Sequence, residues 1–429
     1  MAKIGWRAWS LLGVLSLVSF QINASTFNAL GVVLPDMVRD LKWSWTQAGL
    51  GFTILGAACG GSALLPAAMI RRWGVRATLL AGTAVMAAGF LCLARAEGVW
   101  MYFLGTGLCG VGYQMMALIP GTHVLAAIFP NRGMPLGVYF TFAAVGGIAG
   151  PWMVWAINQL FPDGWRMVWV FHMAMALALG VLCAAMVGGR EWLAKVAAQT
   201  DDAVAAQVAA PGPRRIYRTA QDWSVREALR TPQFFILLAA YFAHLLVGVT
   251  VASLSVAHLT QRGVGMTVAL GMLSLEALVQ TLGRAGASVL GDRLDPRILL
   301  VLALGALTLG AGALSIARDY PMMLLYAIGS GLGFGLVGLA VTMLLLDYFG
   351  RGHNLEIFSR TCLVGTFSAL GPTIGGRLRD ATGAFGPTFE LYAGVSALIL
   401  VAVALMKPPR KQPAADKPDG AAAALAHSL

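Results

Sequence analysis

One arginine sits where a cation is expensive. Arg284 lies within the apolar run 265–289, five residues before its end. A guanidinium inside an apolar layer persists when it has a task or a partner, and its planar fork matches a carboxylate with two parallel hydrogen bonds. Gln280 and Glu276 precede it by one and two turns, a spacing that stacks all three on one helix face. The chemistry available to such a stripe is capture of an organic anion by Arg284, with an amide to hydrogen-bond it and a carboxyl to take up a proton. Two plainer readings stand beside this one. Arg284 would snorkel to a nearby membrane–water boundary, and Glu276 would sit near outer water without a specific role.

Other polar side chains interrupt apolar runs in the same manner. Tyr113 and Gln114 fall midway along 99–127, among Gly110, Gly112 and Ala117, which make room for a small solute. Tyr139 opens the run 134–158, His244 lies in 233–258 and Asn28 in 9–34. Each is a candidate hydrogen-bonding wall, and His244 is also a candidate proton carrier. Ordinary helix packing is the alternative for every one of them, and Asn23, His123 and His172 fit that alternative better. Met272, Met343, Phe140 and Phe142 suit apolar walls.

The elements that would hold these residues follow from composition. The 429 residues are 58% hydrophobic and only 11% charged, with a mean hydropathy of +0.74. A water-soluble domain carries roughly 25% charged residues, so this apolar surface must face lipid. About 20 apolar residues span a bilayer as a helix. Twelve runs qualify: 9–34, 46–68, 75–94, 99–127, 134–158, 166–187, 233–258, 265–289, 298–316, 321–346, 356–376 and 386–406. The first follows Lys3 and Arg7 but is too long, and too interrupted by Gln21, Asn23 and Asn28, to be a cleaved leader. The expected fold is an all-α membrane protein of twelve spans. Residues 1–187 and 231–406 form six-helix bundles, 188–230 a polar central loop and 407–429 a disordered tail.

With both termini placed in the cytoplasm, 20 of the 30 Lys and Arg fall on that side, 8 on the other, and Arg284 and Arg360 within or at the edge of helices. The asymmetry favours this topology. It also accounts for the +11 formal charge through basic loops beside anionic lipid, without nucleic acid. The localisation expected is a cell inner (plasma) membrane. Cys59, Cys92, Cys109, Cys183 and Cys362 lie in apolar context without a CxxC spacing, and the six histidines show no ligand spacing. No metal, cofactor or disulfide is expected. The chain offers no nucleophile–base pair and no phosphate loop, so no enzyme is expected.

The halves echo one another. GGIAGP at 146–151 lies in the fifth run and SALGPTIGG at 368–376 in the eleventh. IRRWGVR at 70–76 joins runs two and three, and GDRLDPR at 291–297 joins runs eight and nine. Repeated halves point to alternating access, with a site between them near the midplane.

These features resemble the major facilitator superfamily. The two basic turns are similar to its Gly-x-x-x-Asp-Arg-x-Gly-Arg loop, a conformational gate. The first copy keeps Arg72, Gly74 and Arg76 but has Arg71 in place of the acid; the second keeps Asp292 and Arg293 but has Asp295 for the glycine. Residues 28–50, 128–151 and 273–296 further resemble the monocarboxylate transporter group and its bacterial oxalate/formate exchanger relatives. That resemblance implies an arginine in the eighth span binding the substrate carboxylate, which falls on Arg284, and a substrate-contacting tyrosine at Tyr113. It also exposes two departures. Gln280 stands where proton-coupled carriers have an aspartate, and Asn28 where mammalian carriers have a lysine. The dianion exchangers' lysine in the eleventh span is missing between Leu363 and Gly376, which favours a monoanion.

The expected function is secondary transport of small organic monocarboxylates, by proton symport with Glu276 or His244 carrying the proton. Proton-independent exchange or uniport is the alternative. Drug or metabolite efflux is a third reading, disfavoured by the lone intramembrane arginine. The resemblance further implies a monomer whose partners are the carboxylate, the proton and the lipid bilayer.

Overall fold

The computed structural model describes residues 6–116, 118–129, 133–161, 164–188, 223–290, 295–350, 357, 360–361, 363 and 366–409. The central-loop expectation for 189–222, the gating residues Asp292 and Arg293, and the tail from 410 lie outside the described residues. What is described is helical throughout.

Among the described residues ten helices are long and apolar enough to cross a membrane. The remaining two spans are segmented. The second begins at Trp45–Gly61, turns at residues 62–64, and resumes in Leu65–Ala94, which breaks again at Gly74 before becoming the third span. The eleventh combines a 3-10 turn, Thr366–Leu370, with Gly371–Thr382. The first span is longer than its apolar run: it extends over Trp6–Leu41, with a π-helical segment at Ala24–Asn28. Helix starts carry the expected signals. Ser44 and Gln47 form a reciprocal cap, Asp295 caps the ninth span through the Arg297 amide at 2.8 Å, and prolines occupy the first turns at Pro232, Pro296 and Pro321.

Glycine sets the packing within each six-helix bundle. In the fifth span (Gly133–Leu160), Gly146 and Gly150 lie on the backbone of Phe20 and Ala24 in the first. In the eleventh, Gly371 and Gly375 lie on Thr250 and Leu254 of the seventh span, Pro232–Gln261. The two motifs that echo in sequence thus do the same work in each half, letting a pair of helices approach closely. The tenth span (Tyr320–Phe349) uses glycine on two faces. Gly329 and Gly333 meet the ninth span at Gly310 and Leu307; Gly331 and Gly335 meet the eighth at the carbonyls of Glu276 and Gln280.

The halves meet on the face away from the termini, here the far face. The second span packs on the eleventh, the first on the seventh and the fifth on the eighth. Thr53 Oγ1 approaches the Ala369 carbonyl and Thr373 Oγ1, each at 2.6 Å, and Ser274 Oγ donates to the Ile148 carbonyl at 2.9 Å. Asp380 accepts from the amides of Trp45 and Thr46 at 3.1 and 2.9 Å. The central space is therefore closed on the far side.

Gly74 has φ 83° and ψ 168°, a conformation open essentially to glycine alone, and it makes the sharp corner between the second and third spans. Arg72, over the Trp73 ring at 5.3 Å, and Arg76 flank this corner and are exposed.

Candidate functional site

The eighth span, Met266–Leu290, carries Ala277, Gln280 and Arg284 along the face toward the centre. Arg284 is exposed to the central opening, yet protein surrounds it on one side. Its Nε donates to the Gly335 carbonyl at 3.3 Å, and its guanidinium lies 5.7 Å from the Phe334 ring centre. Both contacts depend on the tenth-span glycines, since a side chain at 335 would strike Gln280 and hold the helices apart. The guanidinium is therefore braced across two helices rather than trailing toward the boundary. Phe334 in turn packs on Gly248 and lies 5.5 Å from His244, which stands edge-on to Tyr241 at 4.9 Å.

The first half contributes the opposite wall. Tyr113 donates to Asn23 Oδ1 at 3.3 Å and lies edge-on to Phe27 at 6.0 Å. Asn28 Nδ2 donates to the Asn23 carbonyl at 3.0 Å, inside the π-helical turn. Gly147 brings this wall to the eighth span: a methyl there would stand 3.6 Å from Asn28 Nδ2 and 3.8 Å from the Ala277 methyl. Tyr113, Tyr241 and Glu276 all lie in the electrostatic reach of Arg284.

The structure thus brings Arg284, Gln280, Tyr113 and Asn28 to one central region, with His244 just behind Phe334. It keeps two candidates elsewhere. Tyr139 is 1% exposed and its hydroxyl rests against Gly121, inside the first bundle. Glu276 is 7% exposed, one turn further toward the far face than Gln280, and Tyr326 of the tenth span feels its charge.

Sequence reasoning set Asn23 aside as packing and passed over Phe334 and Tyr241. Asn23 had a signal: Asn23 and Asn28 are five apart, which scatters them in an α-helix but aligns them across a π-turn. Phe334 had none, because a phenylalanine in a glycine-rich span reads as packing. Among the described residues no cluster of His, Cys, Asp and Glu suits a metal ion.

A family model described as Major Facilitator Superfamily matches residues 15–362. Monocarboxylate transporter 3 of Rattus norvegicus is 24% identical over 399 residues, covering 88% of this chain and 75% of that protein. The solved structure of the nucleoside transporter NupG superimposes with a TM-score of 0.73 at 15% identity, over 93% of this chain and 100% of that one. A D-xylose-proton symporter gives 0.70 at 15% identity, over 93% and 98%. At such identities the structural likenesses speak for the fold alone.

Proposed function

The chain belongs to the Major Facilitator Superfamily, a family of transporters and not of enzymes, and from that premise we propose that it carries small organic monocarboxylate anions by alternating access, in symport with a proton. The membrane is a cell inner membrane, with both termini cytoplasmic and the central site open to that side. The observation that carries the reading is the bracing of Arg284 by the Gly335 carbonyl and Phe334 while the residue remains exposed to the opening. A cation held in fixed orientation and still accessible is suited to a planar anion. Tyr113, Gln280 and Asn28 supply neutral hydrogen-bonding groups around it, so among the described residues of this region Arg284 is the positive charge that a monoanion would balance. The similarity to a monocarboxylate transporter supports the same substrate class.

The test is thermal unfolding of the purified protein against acetate, pyruvate, L-lactate and oxalate. A ligand at a hundred times its Kd adds about 2.7 kcal/mol to the native state. Stabilisation by a monocarboxylate, absent in Arg284→Ala, is the expected result. Stabilisation that survives Arg284→Ala sinks the assignment.

A second reading, proton-independent exchange or uniport, draws on one observation: the residue beside Arg284 toward the far face is the amide Gln280, which takes no proton. Proteoliposomes carrying a pH dye separate the two. Symport acidifies the lumen as anion enters, whereas exchange proceeds at full rate without a pH change.

A further inference from the structure

Glu276 stands about 12 Å further toward the far face than Arg284, at the 1.5 Å rise of a helix. It is 7% exposed, and its carboxyl feels the charge of Arg284. Two other buried side chains of the second bundle lie just over one turn further toward the far face. Gly335 of the tenth span meets Gln280 and Gly331 meets Glu276, so Tyr326 lies just over one turn beyond the level of Glu276 toward the far face. Phe334 of the tenth span meets Gly248 of the seventh; counting two turns outward from both places Ser255 opposite Tyr326. Tyr326 and Ser255 are 0% exposed, and neither the phenol nor the serine hydroxyl has a well-formed hydrogen bond. Tyr326 nonetheless feels the charge of Glu276 and lies beside Ser255.

A buried carboxyl beside two buried hydroxyls that lack well-formed hydrogen bonds is costly unless the three groups, on three helices, serve one another through something the cluster binds. Hydroxyls are rotors: each donates to a carboxylate, and each accepts from a carboxylic acid. We propose that Glu276, Tyr326 and Ser255 form a buried proton-binding site in the second bundle, separate from the anion site at Arg284. This rests on the symport reading above for its place in a transport cycle. Loading transfers one proton from hydronium to a Glu276 carboxylate oxygen, leaving water and a neutral carboxyl that donates to Tyr326, which donates in turn to Ser255. Unloading reverses the transfer, and both hydroxyls swing to donate to the carboxylate. No helix need move to hold either form.

The charged and titratable groups facing Glu276 are few. Arg284 lies two turns away on the same helix, and Tyr326 faces it from the tenth span. The seventh span presents Ser255 about one turn further toward the far face, with His244 three turns from Ser255 toward the terminal face and His258 engaged with the Leu314 carbonyl. The fifth span presents the Ile148 carbonyl, already held by Ser274.

The experiment is an infrared titration of the purified full chain in lipid nanodiscs, without substrate, reading the carbonyl band of protonated carboxylic acids. The wild type should show a band that appears and disappears with pH. Glu276→Gln should remove it, and Tyr326→Phe, which keeps the carboxyl and the ring, should displace its midpoint by about one pH unit or more. A band untouched by both substitutions overturns the proposal. So does a midpoint that moves with sodium concentration, which would make the site one for a metal cation. If the band behaves as expected while proteoliposomes show no proton movement with anion, the symport reading falls and the proton site stands.

Discussion

Asp380, at the end of the eleventh span, caps the second span at Thr46. Its carboxylate accepts from the Thr46 amide at 2.9 Å and from the Thr46 hydroxyl at 2.5 Å, with the Trp45 amide at 3.1 Å. A helix start exposes unsatisfied amides and a partial positive charge, and here the anion that answers them comes from the other half of the protein. Trp45 adds an edge-on contact with Phe385 at 4.8 Å. The cap is thus a latch on the far face. Asp380→Ala removes about 1 kcal/mol of capping from the far-closed arrangement and none from its opposite. In a background without native cysteines, Thr373→Cys should react several-fold faster with an impermeant thiol reagent once Asp380 is replaced. Unchanged labelling would count against the latch.

The tenth-span glycines make a contrast that unfolding can read. A methyl on Gly331 would sit 2.6 Å from the Glu276 carbonyl and 3.0 Å from the Val279 Cβ. A methyl on Gly305 of the ninth span would meet nothing within 4 Å. Gly331→Ala is expected to cost about 1–3 kcal/mol, whereas Gly305→Ala should be neutral or stabilising by up to about 1 kcal/mol. Equal melting temperatures for the two would refute the packing argument.

At Gly74 the cost is conformational. Alanine at φ 83° and ψ 168° strains the corner between the second and third spans by about 1–3 kcal/mol. Gly74→Ala should lower the unfolding temperature with Arg72 and Arg76 intact, and a melting curve that overlays wild type would show that the corner relaxes.

Gln21 and His172 pair inside the first bundle at 3.1 Å, both 1% exposed or less. Gln21→Leu leaves His172 without that partner and should destabilise by about 1–3 kcal/mol. Replacing both by leucine should recover part of the loss. A double variant as unstable as the sum of the singles would show that the pair is not coupled.

Much of this was legible before any coordinates. Lipid solvation forces one pattern, long apolar helices, so composition and run length foretold the spans and the matched Gly-Pro motifs foretold the two related bundles. Arg284 was visible because charge in an apolar run has no ordinary excuse. What was hidden depends on which helices touch. The i, i+4 rule placed Glu276 on the face of Arg284, but it could not show the burial of Glu276 or its neighbour Tyr326 on the tenth span. The π-turn at Ala24–Asn28 shifts the register of the first span by one residue, which a search for α-periodicity does not see. Tyr139 looked like Tyr113 in sequence because both are lone tyrosines near small residues; only the position of Gly121 tells them apart.

The two-faced glycine pattern of the tenth span has a mechanical consequence. With backbone contact on both sides, the eighth, ninth and tenth spans make a slab, and whatever motion exchanges the open face carries Arg284 and Glu276 as passengers on one plate. The gap between them stays constant through the stroke, like that of a sealed capacitor. At about 12 Å and an effective dielectric of about 20, a charge on one residue is felt at the other by on the order of 1 kcal/mol. Communication between the two residues would then be set by geometry fixed at folding, and the stroke would change which water each one sees rather than how far apart they stand.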